Sequence, residues 1–348
     1  MMDMRLPLKF SEAVPLQDHY QRSLRELRVS VIDRCNFRCT YCMPADSLQG
    51  RGVFLPLEKL LTDHEIVDLV RAFVDLGVKK LRITGGEPLL RPGLPALVEQ
   101  LAEIPGLGDI ALTTNGVMLT RLAGDLADAG LDRITVSLDT LDREVLAEMS
   151  GGKAKLDDIL DGIRAAESAG FDRLKINTVV QKGVNDHTVM DLVEYFRGTP
   201  HRLRLIEYMD VGNSNDWSQD DVVPNADWVK LIGQKWPLKP IESGNPAETA
   251  RRYEYLDGQG EIGFISSITQ PFCGGCTRAR VTADGMFYTC LFSNKGSNLM
   301  PVVRHSEDPG DLARKISAVW AARNDRYSEE RGLPGHDREK VEMYRLGG

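Results

Sequence analysis

The chain has 348 residues, 42% hydrophobic and 27% charged, an ordinary globular composition that excludes a disordered, collagen-like or disulfide mini-protein reading. Lysine and arginine number 43 against 51 aspartates and glutamates, a net charge of -8. Bulk electrostatics therefore argue against coating nucleic acid or an anionic membrane, and any anionic ligand must be held by a local cluster.

In chain order, Asp3, Arg5, Lys9, Glu12 and Asp18 interrupt the first residues, unlike a signal peptide, and no apolar run reaches the roughly 18 residues of a membrane span. The expected compartment is the cytoplasm. Six short segments rich in apolar and β-branched residues follow, at 27–33, 80–87, 109–116, 133–139, 173–180 and 202–209, and read as buried strands. Between them lie stretches with helical spacing, at 62–77, 119–130, 156–170 and 186–197; the first opens on Thr62 as an N-cap and stops at Gly77. Strand–helix alternation predicts a parallel sheet with right-handed crossovers. Six units fall short of the eight in a closed barrel, so the expected α/β fold is an incomplete, open, six-stranded β/α TIM-type barrel. From about residue 241 the pattern changes to short strands in RRYEYL, EIGFISSI and ARVTADGMFYTCLF, the last pair turning at Asp284-Gly285, a hairpin signal. One helix is expected over 311–324. The predicted organisation is an N-terminal extension over 1–25, the partial barrel over 26–240, and a β-containing C-terminal region over 241–348 that closes it.

The six cysteines fall into two groups of three: Cys35, Cys39 and Cys42 directly after the first predicted strand, and Cys273, Cys276 and Cys290 near the far end. Odd groups in a reducing compartment argue against disulfides and for metal. Zinc needs a fourth thiolate or imidazole; near the first group His19 and His64 are isolated, and near the second His305 is the only nearby histidine. A [4Fe–4S] cluster normally takes four cysteines; with three, one iron is open to a ligand that is not protein. Buried structural cysteines, zinc and a cluster remain the alternatives on spacing.

The C-x3-C-x2-C loop and Gly85-Gly86-Glu87-Pro88 at the end of the second strand resemble the radical S-adenosylmethionine (SAM) enzymes, although GGEP by itself is also a strand-ending turn. Together with TTNG, SLDTL, KINTVV, IEYMD, CGGCTRARVTADGMFYTCLF and the terminal Gly347-Gly348, the chain from about Leu27 onward resembles the GTP 3′,8-cyclase family, which opens molybdenum cofactor biosynthesis. The resemblance implies two [4Fe–4S] clusters, on Cys35, Cys39 and Cys42 and on Cys273, Cys276 and Cys290. It also implies SAM contacts at Tyr41, Gly86, Ser137 and Met209, a double glycine reaching toward the active site, and abstraction of the 3′ hydrogen of GTP to give the 3′,8-cyclised nucleotide. Implied partners are a cyclic pyranopterin monophosphate synthase and an electron donor of flavodoxin or ferredoxin type, with no nucleic acid or membrane, the enzyme being a monomer or homodimer.

A triphosphate must be held without a Walker A loop, since Gly152-Lys153 is followed by Ala154. Arginine, charged and bidentate, suits this best. Arg278 and Arg280 sit two apart, hence on one face of a strand, just after CGGC. The resemblance carries GTP binding onto Arg28, Arg82, Thr113, Lys175, Arg278, Ala279 and Arg280; for any one of the charged residues a surface salt bridge is the alternative reading. Two other functions stay open: a radical SAM enzyme with one auxiliary cluster and another substrate, and a non-catalytic iron–sulfur electron carrier.

Overall fold

The apolar, β-branched runs form strands with helices between them in a computed structural model describing residues 16–45, 54–244, 247–332 and 340–347. Strands β1 (Glu26–Ser30), β2 (Lys80–Thr84), β3 (Asp109–Thr114), β4 (Arg133–Ser137), β5 (Lys175–Val180) and β6 (Arg202–Glu207) lie side by side in chain order, all parallel. Helices α1 (Asp63–Asp75), α2 (Leu94–Ala102), α3 (Leu119–Asp128), α4 (Arg143–Met149), α5 (Leu156–Ser168) and α6 (Val189–Phe196) make the crossovers. Thr62 caps α1 as expected, in a reciprocal box: its hydroxyl accepts from the Glu65 amide at 3.2 Å and the Glu65 carboxylate accepts from the Thr62 amide at 2.8 Å. Helices α2 and α4, of nine and seven residues, are too short to show a clear period and were not anticipated.

After α7 (Asn225–Lys235) come β7 (Leu238–Ile241), β8 (Arg251–Tyr255), β9 (Glu261–Ile265), β10 (Arg278–Val281), β11 (Met286–Tyr288) and β12 (Ser297–Asn298), then α8 (Met300–His305), α9 (Gly310–Ala321), α10 (Tyr327–Glu330) and α11 (Met343–Leu346). The expected count of six strands is corrected here, because β9 pairs parallel with β6 and β10 pairs parallel with β1. The full order is β12-β11-β10-β1-β2-β3-β4-β5-β6-β9-β8-β7, an open sheet in the manner of a partial TIM barrel. The C-terminal strands lengthen this sheet at both edges; they do not close it. Period reading misses this because β9 and β10 are recruited by edges left unpaired by β1 and β6, a tertiary demand. The Asp284-Gly285 turn does join β10 to antiparallel β11, with Gly285 at φ +76°.

One face of the parallel run is apolar and covered by helices: Leu27, Leu81, Leu112, Val136, Ile176 and Leu205 are each at most 1% exposed, packed against Phe73 of α1 and its neighbours. Each such side chain adds roughly 1.5–3 kcal/mol of burial. The other face alternates with it and carries charge, which parallel strands buried on both sides ordinarily lack. Helix α5 lies backbone to backbone on the turn after β3; a Cβ at Gly162 would sit 2.1 Å from the Gly116 carbonyl oxygen. Gly162→Ala must push α5 off the sheet, at about 1–3 kcal/mol, expected as a lowered urea midpoint for the apoprotein with no change in the nature of its secondary structure.

Candidate active site

The inner face of the sheet opens on a cavity of about 530 Å³. Register sets its charge. Arg280 on β10 stands opposite Arg28 on β1, and Arg28 opposite Arg82 on β2, so three guanidinium groups form a row across adjacent strands. Farther along, Thr113, Thr135, Lys175 and Arg202 occupy one row on β3 to β6, and Asn177 faces Arg204. Arg82 donates to the Thr113 and Thr135 hydroxyls at 3.2 and 3.3 Å, and Arg204 to the Asn177 carbonyl oxygen at 2.9 Å. Glu26, two residues before Arg28 on β1 and opposite Arg278 and Lys80, is the neighbouring carboxylate, 3.4 Å from Arg28 and 3.8 Å from Arg82.

Burial pushes the Glu26 carboxyl up, but Arg28, Arg82 and Arg278 outweigh it and hold its pKa at about 2. The cations respond in the opposite sense. Burial, with Arg204, Arg133 and Arg82 nearby, brings the Lys175 amine down to about 7. Burial and neighbouring arginines bring Arg204 to about 9, and burial brings Arg28 to about 10 against the attraction of Glu26. The arginines stay charged at neutral pH with too little internal counter-charge, so the wall is built for a polyanion.

All six thiols are free and partly buried. Cys273, Cys276 and Cys290 stand on the cavity wall beside Met209. Within each group the thiols lie in electrostatic reach of one another, Cys39 with Cys35 and Cys42, and Cys276 with Cys273 and Cys290. Among the described residues no three Cys, His, Asp or Glu side chains converge as the ligands of a single ion do. Burial raises Cys35 to about 11 and also pushes Cys39 well above the usual thiol value. At Cys276 burial is outweighed by Arg278 and Arg323, which bring it to about 6, whereas burial leaves Cys290 at about 12. Cys276 is thus a thiolate at neutral pH, whereas the raised thiols ionise only against added positive charge, which a [4Fe–4S] group held by thiolates supplies at both sets.

The other anticipated residues are placed as follows. The Gly86 amide donates to the Ile32 carbonyl at 2.8 Å, and a Cβ there would lie 2.2 Å from the Arg34 carbonyl oxygen; this glycine presses the GGEP turn against the backbone leading into Cys35. Next to it Glu87, 1% exposed, accepts from Thr114, Asn115 and Leu89 at 2.7–3.0 Å, and burial still lifts its carboxyl to about 7. The Tyr41 hydroxyl donates to Asp139 at 2.8 Å, which ties the cysteine loop to the end of β4, two residues past Ser137. Met209 lines the cavity, whereas Tyr41, Gly86 and Ser137 do not. Ala279, between two lining arginines, points to the other face and is wholly buried in the apolar core. Arg280 donates to the Leu346 and Gly347 carbonyls at 2.9 and 2.7 Å. Gly347 takes φ +72°, and a Cβ there would lie 2.1 Å from the Thr84 hydroxyl; Gly348 lies outside the described residues. Sequence reasoning missed Glu26, Arg133, Asn177, Arg202 and Arg204, although polar residues at every second position of RITVS, KINTVV and RLRLIE carried the signal. For Arg22 and Arg323, also on the wall, no local pattern existed.

Comparison with known proteins gives concordant matches. Residues 29–196 match the Radical SAM superfamily and 201–329 match Molybdenum Cofactor Synthesis C. A GTP 3′,8-cyclase of Xanthomonas campestris pv. campestris (strain B100) is 52% identical over 97% of this chain and 98% of its own length. The GTP 3′,8-cyclase of Acidothermus cellulolyticus is 46% identical over 96% of this chain and 99% of its own. Among solved structures, Streptococcus suis SuiB bound to S-adenosylmethionine aligns with a TM-score of 0.61 at 14% identity, over 94% of this chain and 79% of that one, a likeness of fold.

The depressed Lys175 amine has a thermodynamic signature. Between about pH 7 and its ordinary 10.5 the unfolded chain binds a proton that the folded chain does not, so its burial is most destabilising below pH 7 and the penalty fades as pH rises. Lys175→Met apoprotein is expected to exceed the parent in urea midpoint at pH 6.5, with the gap narrowing at pH 9; a gap independent of pH would place the amine in solvent.

Proposed function

The chain belongs to the GTP 3′,8-cyclase family of radical SAM enzymes, and on that premise we propose that GTP binds in the basic cavity inside the sheet and is cyclised there to (8S)-3′,8-cyclo-7,8-dihydroguanosine 5′-triphosphate. The observation that carries this reading is the row of Arg280, Arg28 and Arg82 on three adjacent strands, directly after the CGGC turn. A triphosphate supplies the negative charge that Glu26 alone does not, so Arg28, Arg82, Lys175 and Arg278 hold it, and Arg82 orients Thr113 toward the nucleotide. Arg280 acts through the tail carbonyls it already bonds, and Ala279 contributes only main chain.

Cys35, Cys39 and Cys42 hold the [4Fe–4S] cluster that works with SAM, and in this proposal Cys273, Cys276 and Cys290 hold a second, substrate-side cluster. When bound, the first cluster supplies the one electron that cleaves SAM to a 5′-deoxyadenosyl radical. The GGEP turn, Tyr41, Ser137 and Met209 then form the SAM cradle, with Met209 on the cavity wall where cofactor and nucleotide meet. The tail seated on Arg280 keeps water from a radical on the 3′ carbon. The functional units are an N-terminal segment over 1–25, the SAM-binding barrel over 26–240 and the nucleotide-side region over 241–348. The reading extends to a cytoplasmic enzyme drawing electrons from a flavodoxin or ferredoxin and passing product to a cyclic pyranopterin monophosphate synthase.

The test is anaerobic incubation of the reconstituted protein with SAM, dithionite and GTP, ATP or no nucleotide. Expected is 5′-deoxyadenosine with a cyclised GTP product and no ATP counterpart; deoxyadenosine that ignores GTP would discard the substrate. Loss of one charged contact is worth roughly 1.5–3 kcal/mol, so Arg28→Ala is expected to raise the GTP dissociation constant about 10- to 100-fold in equilibrium dialysis while that of SAM stays within about twofold.

A further inference from the structure

Residues 16–25 precede the barrel, yet they pack into the C-terminal cysteine site. The amides of Arg25 and Glu26 donate to the carbonyl of Thr277, the residue after Cys276, at 3.0 and 3.1 Å, and the bridge between Gln17 and Ser23 folds the segment back on itself. Inside that fold Arg22 is 4% exposed. Its Nε donates to Asp18 at 2.5 Å, and its Nη1 donates to the carbonyls of Cys273 and Asp325 at 3.0 and 2.9 Å. Arg323, also 4% exposed, donates from Nη1 to the Cys276 carbonyl at 2.8 Å and from Nε to Asp325 at 3.1 Å. The other Asp325 oxygen accepts from Thr289, the neighbour of Cys290, at 2.6 Å. Each cysteine of the group is thus tied, directly or through its neighbour, to one buried arrangement of two arginines and two aspartates.

The arrangement is rigid. The Trp320 indole donates to the Arg22 carbonyl at 3.1 Å, and the Arg323 guanidinium stacks 4.5 Å from the same ring. One atom in it is unsatisfied: Arg22 Nη2 is buried with no hydrogen-bond partner, 3.9 Å from Asp325 Oδ1, in a side chain that lines the cavity. Buried donors in native proteins are rarely left unpaired, and one on a side chain that lines a ligand chamber marks a missing acceptor.

We propose that Arg22 and Arg323 are positioning residues for the group held by Cys273, Cys276 and Cys290: they set the CGGC turn through its main-chain carbonyls, and Arg22 Nη2 donates to a sulfur of that group. This rests on the reading that these cysteines hold a [4Fe–4S] cluster. Positive charge and N–H donors beside such a cluster favour its reduced form, so the two arginines raise its reduction potential, and residues 16–25 belong functionally to the substrate-side site.

The test uses the full-length chain carrying Cys35→Ala, Cys39→Ala and Cys42→Ala, so that only the second group binds iron, with iron and sulfide counted and the cluster followed by electron paramagnetic resonance during a redox titration. Arg22→Gln and Arg323→Gln are each expected to retain iron and to lower the reduction equilibrium constant at least tenfold, a shift of about 59 mV for one electron. An unshifted potential with the parent line shape overturns the inference. Iron missing from the parent background itself overturns the cluster reading, and this inference with it. Where a glutamine variant fails to fold, Arg22→Lys decides: it keeps the charge but not the fork, so an altered line shape supports the role and a parent-like one overturns it.

Discussion

The constraint on which this structure depends is like-charge repulsion on the inner face of a parallel sheet. Strand register sets Arg280, Arg28 and Arg82 side by side, and Arg28, Arg82 and Arg278 share Glu26, whose carboxyl they hold at about 2. Such an arrangement is tolerable because arginine resists deprotonation and because several of the guanidinium groups also find neutral acceptors, Thr113 and Thr135 for Arg82, Asn177 for Arg204 and the tail carbonyls for Arg280. It leaves the folded protein short of negative charge inside. A bound polyanion therefore stabilises the fold as well as occupying the site, by the ordinary linkage of ligand binding to the native state.

From that constraint the rest of the architecture follows. The helix-covered face must hold the sheet together by itself, which is why its positions are so uniformly aliphatic and buried. The strands that complete the charged row come from a distance: β10 joins β1 about 250 residues later in the chain, delivering Arg278 and Arg280 and, immediately before them, the CGGC turn. The same edge receives the C-terminal tail, where Gly347 fits because no Cβ stands between it and Thr84. At the other cysteine group Gly86 plays a comparable part. Its missing side chain lets the GGEP turn lie on the backbone of Arg34, so the two motifs that the resemblance links are physically one surface.

Much of this was legible from residues alone. The six central strands, their order, the capped helix α1, the hairpin at Asp284-Gly285 and the odd-numbered cysteine groups all rest on local chemistry: side-chain period, a hydroxyl three residues before a glutamate, a residue free to take positive φ, thiols at fixed spacing. That two of the expected C-terminal strands, β9 and β10, join the parallel sheet was not legible, since a strand's partner is chosen by what edge remains open. Arg22, Arg323 and Asp325 were invisible for the same reason. A buried ion pair between residues about 300 apart leaves no periodic trace.

By itself, then, the amino-acid order determined the kinds of elements, the thiolate chemistry and the class of cofactor, because each depends on residues within a few positions of one another. Which face the charges share, that Ala279 turns into the core while its neighbours turn to the cavity, that the tail sits on Arg280 and that the N-terminal segment braces the far cysteines were decided by tertiary structure. Strand pairing and the neutralisation of buried charge join segments hundreds of residues apart, and they are settled only when the whole sheet closes its hydrogen bonds.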